Sequence, residues 1–133
     1  MLCRDNMNIC KWPSILIVFF VCFACDKPLP TLTGIDAHRW ADDRNGCKED
    51  RTSMRDAIDT QKEKLLALDE MQIVRLLGRP DRNELYSGKQ KFYYYFIEPS
   101  PDCGARDSTA ERLAIRFNAV GLAKEVAIIR SEW

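Results

Sequence analysis

The apolar pattern of this chain changes period once, at Gly78-Arg79-Pro80-Asp81, and that change limits the folds open to it. Before it the spacing is helical. Met54, Ala57, Ile58 and Leu65 share one face of the segment 53–66, with charges on the other. Thr52 or Ser53 can cap its start, and Asp56 suits the positive end of the helix dipole. A second, shorter helix follows. Asp69 and Gln72 have capping-box spacing, Leu68 and Ile73 that of a hydrophobic staple, and Ile73, Leu76 and Leu77 form the stripe to be buried. Gly78 is expected to stop this helix in a left-handed conformation, and Pro80 to prevent its resumption.

Beyond Asp81 the period becomes two. The segments 83–86, 90–97, 110–117 and 122–130 read as strands, joined by a turn at Ser87-Gly88-Lys89, a loop at 98–109 and a turn at 118–121. In the third strand Leu113, Ile115 and Phe117 point inward and Arg112, Ala114 and Arg116 outward. Consecutive strands with short connections make an antiparallel meander. The expected class is therefore α+β: two N-terminal helices on one face of a three- to four-stranded antiparallel sheet.

The N-terminal region carries a different signal. Ile15–Cys25 is an uncharged apolar run, shorter than the roughly 20 residues of a spanning helix. It follows Lys11, ends in Ala24 before Cys25, and gives way to polar, Pro-rich sequence, which is the pattern of a secretory leader. It resembles a bacterial lipoprotein signal, with Cys25 as the lipidated residue, although Cys22 stands where that pattern usually has Leu. An ordinary signal peptide cut near Ala24 and an uncleaved anchor are the alternatives. The expected organisation is a signal peptide at 1–24, a lipidated cysteine with a flexible tether at 25–46, and a folded domain at 47–133.

Two cysteines remain in that domain, Cys47 and Cys103. In an exported domain two thiols most often pair, so a disulfide is expected, with two free thiols as the alternative. Lys and Arg number 20 against 20 Asp and Glu, with no basic stripe, which speaks against nucleic-acid binding. His38 is the one histidine and no CxxC occurs, so no metal site is expected. The acidic cluster in Trp40–Cys47 does not make a calcium loop, because aligning Gly46 with the loop glycine leaves Ala41 and Thr52 at ligand positions. No GxSxG, HExxH, phosphate loop or dinucleotide fingerprint is present. A non-catalytic protein without cofactor is expected.

The segment Leu68–Asp81 (LDEMQIVRLLGRPD), the aromatic strand Tyr93–Phe96, the strand Leu113–Phe117 and the turn with Gly121 together resemble the SmpA/OmlA (BamE-like) family. Gln72, Ile73, Leu76, Leu77, Gly78, Pro80 and Asp81 carry the motif. The resemblance runs from about Met54 to Ile129. It departs from the family at 67–70, at Trp40–Cys47 and in the Pro-rich loop around Cys103. The family comprises small outer-membrane lipoproteins of ααβββ fold, so the resemblance implies a periplasm-facing lipoprotein that binds another envelope protein, as a scaffold or an assembly accessory. The same architecture resembles that of secreted β-lactamase-inhibitor proteins. The alternative is thus an exported inhibitor or immunity-type protein, acting through loop 98–109.

The partner-binding surface expected from the strands is a platform of Tyr93 and Tyr95 beside Arg112 and Arg116, on the assumption that Phe92, Tyr94 and Phe96 face the core. Shifting the assignment by one residue exchanges the two faces.

Overall fold

The structure is a computed structural model that describes residues 28–104 and 109–130. The leader at 1–24 and the lipidation candidate Cys25 lie outside the described residues. The helical half contains four short α-helices, α1 (Ala37–Asp42), α2 (Asp50–Ser53), α3 (Arg55–Gln61) and α4 (Glu70–Leu77). It is followed by four strands, β1 (Arg82–Tyr86), β2 (Gln90–Phe96), β3 (Arg112–Phe117) and β4 (Ala123–Ile129). The strands form one antiparallel sheet in the order β1-β2-β3-β4, the meander expected of short connections. The chain is α+β.

α4 forms as its sequence dictates. The Asp69 side chain accepts from Gln72 N at 2.8 Å, and the Gln72 side chain accepts from Asp69 N at 3.0 Å, closing the capping box. Gly78 then takes φ of 75° with ψ of −174°, so the positive φ expected of a stop is present but ψ places the residue outside the left-handed helical region. A side chain here would also strike Ala41, since an added Cβ would lie 2.8 Å from that residue's Cβ. The helix expected over 53–66 is broken. α2 begins earlier, at Asp50, and Met54 (φ −102°, ψ 4°) separates it from α3, which passes into a 3-10 turn at Lys62–Leu65.

The folded domain also starts earlier than 47. Asp36 caps α1 by accepting from His38 N and Arg39 N, and Trp40 in this helix is fully buried in the core. Leu32 and Ile35 pack on the same core, and Thr33 exchanges hydrogen bonds with the Gln61 side chain at 2.7–3.0 Å. The tether expected to reach 46 is therefore folded from Thr31 onward. The Pro/Thr/Gly composition of this segment carries no helical period, so its docking depends on isolated apolar residues that find partners only in three dimensions.

One core joins the two halves. Trp40, Ile58, Leu65, Ile73 and Leu77 meet Tyr93, Tyr95, Leu113, Ile115 and Phe117. Cys47 and Cys103 form a disulfide with Cα atoms 5.4 Å apart, tying the turn after α1 to the loop after β2. Gly46 makes this junction possible, because a Cβ there would lie 2.5 Å from the carbonyl oxygen of Glu98 and the residue sits at φ +69°.

Candidate functional site

Register decides which side chains share a face. Tyr93 stands opposite Ile115, Tyr95 opposite Leu113 and Lys91 opposite Phe117. Because directly opposed residues point the same way, the aliphatic inner row of β3 draws Tyr93 and Tyr95 inward. They are 6% and 0% exposed, and neither belongs to an exposed platform. This corrects the expectation for β2, in which the phenylalanines were to be core.

The two tyrosines reach the inner layer because their hydroxyls find acceptors at its edge. Tyr95 donates to the Gly78 carbonyl at 2.8 Å, the free end of α4, and Tyr93 donates to Glu70 at 2.8 Å. Glu70 is also paired with Lys91 at 2.5 Å. Burial is the main cause that raises the Tyr95 hydroxyl far above the ordinary phenol value. Burial first, then the Glu70 carboxylate, raises that of Tyr93.

Phe92, Tyr94 and Phe96 instead occupy the opposite face, with Arg112 and Arg116, which lie on the side expected of them. Tyr86 meets Phe92 edge-on at 5.1 Å, and Phe92 stacks on Tyr94 at 6.0 Å. Arg112 covers the Tyr94 ring at 5.1 Å and is only 4% exposed, and burial lowers its guanidinium from the ordinary value. Tyr94 and Phe96 are buried, so this end of the face is closed.

The other end is accessible. Phe92, Ala114, Ala127 and Ile129 line a mainly apolar depression of about 160 Å³, edged by Arg116 and Glu125, which are paired at 2.8 Å. Two aromatic or aliphatic walls, a floor of alanines and a charged rim can accept one apolar side chain of a partner and orient it. Of the expected surface residues, Arg116 is at this rim, Arg112 is buried beside it, and Tyr93 and Tyr95 are behind the sheet. Ala127 and Ile129 were missed. Their signal was the alternation of β4, read against β3 in register.

A second locus is structural. The Arg51 guanidinium, fully buried, pairs with buried Asp81 and donates to the carbonyls of Trp40 at 2.8 Å and Phe96 at 3.0 Å. It lies 5.3 Å from the Trp40 ring centre and 5.6 Å from that of Tyr95. Asp81 also accepts from the backbone N–H groups of Asn45 at 3.0 Å and Phe96 at 2.9 Å. Asp43, buried as well, accepts from Lys48 N and Arg51 N. The cluster pins α1, α2, the turn before β1 and the end of β2 to one another, and every carboxylate oxygen in it is used in doing so.

Among the described residues no group of His, Cys, Asp and Glu is arranged to hold a metal ion, and no helix is long and apolar enough to cross a membrane. The Cys47 and Cys103 sulfurs are joined to each other. The chain matches no protein-family model, no curated protein and no solved structure.

Proposed function

We propose that this chain is a membrane-anchored, periplasm-facing lipoprotein, lipidated at Cys25, whose domain binds another envelope protein without catalysis. The observation that carries the protein-binding part is the accessible apolar depression of Phe92, Ala114, Ala127 and Ile129 with its Arg116–Glu125 rim, on the sheet face away from the helical layer. The anchoring part rests on the leader and on the polar stretch that directly follows Cys25. The capped α4 ending in Gly78-Arg79-Pro80-Asp81, followed by an antiparallel meander, fits a divergent SmpA/OmlA (BamE-like) domain serving as a scaffold or an outer-membrane assembly accessory.

The test has two parts. The mass of the N-terminal peptide from protein taken out of native membranes is expected to show diacylglyceryl-modified Cys25. A photo-crosslinking residue in place of Ile129 is expected to trap one envelope protein, and Arg116→Glu to weaken that capture while leaving the melting temperature nearly unchanged, because Arg116 is partly exposed and its one pair is at the surface. An unmodified N-terminus on a released protein would refute the anchor, and the exported inhibitor would then be the better reading. Loss of melting temperature equal to the loss of capture would mark Arg116 as structural.

A further inference from the structure

We infer that the cleft between the C-terminal end of α4 and β1 is a carboxylate-binding site, which takes an acidic side chain of a protein partner. The cleft has a volume of about 470 Å³, within the range of small-ligand sites. Its polar wall is made by Arg44, Arg79 and Asn83, and Val74 and Pro80 supply an apolar one. The two guanidiniums are the reason to expect an anion. That of Arg79 is exposed and makes no hydrogen bond or ion pair with any described residue, and neither does the Asn83 amide.

Arg44 uses one terminal nitrogen on the Arg79 carbonyl at 2.7 Å, and its Nε lies 3.6 Å from Asp81. Asp81 is already committed, since it pairs with buried Arg51 and accepts two backbone N–H groups. The acid in the cleft is thus neutralised from behind, and the positive charge of Arg44 and Arg79 is left over. Tyr93, which also lines the cleft, is occupied with Glu70.

The backbone under these side chains is held from several directions. Gly78 presents its carbonyl to Tyr95, Arg79 presents its carbonyl to Arg44, and Asp81 N donates to Tyr94 O at 2.9 Å. A site fixed before the ligand arrives loses less entropy on binding. Two planar guanidiniums and an amide match a carboxylate, which Arg79 can grip with two parallel hydrogen bonds while Arg44 and Asn83 each add a donor. Val74 and Pro80 can cover the methylenes of an acidic side chain, which inorganic phosphate lacks, so the side-chain carboxylate fits better. The choice of a protein carboxylate rests on the protein-binding reading above. The site does not, because it shares no residue with the outer-face depression.

The test follows the Nε–Hε signals of Arg44 and Arg79 by nuclear magnetic resonance in the ¹⁵N-labelled full chain, held in non-ionic detergent at constant ionic strength. The probes are N-acetylglutamate amide, N-acetylglutamine amide and inorganic phosphate. Saturable shifts of both arginines with the glutamate probe at millimolar concentration are expected, with none from the glutamine probe and a weaker response to phosphate. Arg79→Gln should weaken binding by about tenfold, the cost of losing a charge-assisted hydrogen bond, while the other amide signals stay in place and show the fold intact. Asn83→Ala should weaken it less. Equal response to the glutamine probe, absence of a saturable shift, tighter binding of phosphate, or unchanged binding by Arg79→Gln would each overturn the assignment. None of these outcomes touches the outer-face reading, whose own test is the crosslink at position 129.

Discussion

Replacing Arg51 by Met keeps most of the side-chain volume and removes the charge and every donor of the guanidinium. Asp81, with its side chain fully buried, then loses its ion partner, and the carbonyls of Trp40 and Phe96 lose a donor each. Breaking a buried pair by removing one partner costs about 3–5 kcal/mol. An unsatisfied buried carbonyl adds about 1–3 kcal/mol. Two effects work the other way. Asp81 keeps the N–H groups of Asn45 and Phe96, and Arg44, which is half exposed, stands 3.6 Å from it and can move closer. The expected net loss is about 4 kcal/mol, a large part of the roughly 5–15 kcal/mol that holds a domain folded.

Urea unfolding of the full chain in non-ionic detergent, followed by far-ultraviolet circular dichroism, measures this loss. Arg51→Lys retains the charge but cannot reach all three acceptors at once, so it should lose about 2 kcal/mol. Asp81→Asn removes the charge that Arg51 neutralises. The double variant Arg51→Met/Asp81→Asn should therefore cost less than the two singles added together, by more than about 1.5 kcal/mol. An Arg51→Met variant within about 1 kcal/mol of the parent, or strict additivity in the double variant, would refute the argument that this pair pins the fold.

Three further outcomes are expected. Reducing the Cys47–Cys103 bond, or replacing both cysteines by serine, should cost about 4 kcal/mol in the chain-entropy account for a sequence separation of 56, seen as a lower urea midpoint. Asp69→Ala removes the α4 cap and should cost about 1 kcal/mol, whereas Asp69→Asn should be nearly neutral in the same measurement. Burial raises the Tyr95 hydroxyl far above its unfolded value of 10.0, so the unfolded chain releases this proton first; stability is full below that pH and falls as pH rises above it. In alkaline urea titrations Tyr95→Phe should flatten that fall, at the expense of the hydrogen bond to Gly78 at neutral pH.

Where local chemistry is enough to specify a structure, the reading from sequence is close. Asp69 and Gln72 are three residues apart and need only each other, so the capping box is visible in the chain and present in the fold. The four strands follow their alternation within one or two residues. The misreadings occur where an assignment depends on a distant partner. Alternation in β2 separates Tyr93 and Tyr95 from Phe92, Tyr94 and Phe96, but it cannot say which row is inner. Pairing with β3 does, and the polar tips of the tyrosines are tolerated there because Gly78 O and Glu70 wait at the edge of the helical layer. Arg51 shows the same limit. Nothing in its neighbouring residues marks it as buried, and only the approach of Asp81, 30 positions away, makes it so.

Written into the chain are the α+β order of elements, the capping box and stop of α4, the turns of the meander and the two cysteines available for bridging. These depend on contacts between near neighbours or on a simple period, which the chain carries in one dimension. Folding in three dimensions settles which sheet face is open, that 31–46 joins the domain, and that Arg44 and Arg79 come to share a cleft. Each of those depends on groups brought together across the fold, where register, burial and a second charge settle a choice that local spacing leaves open.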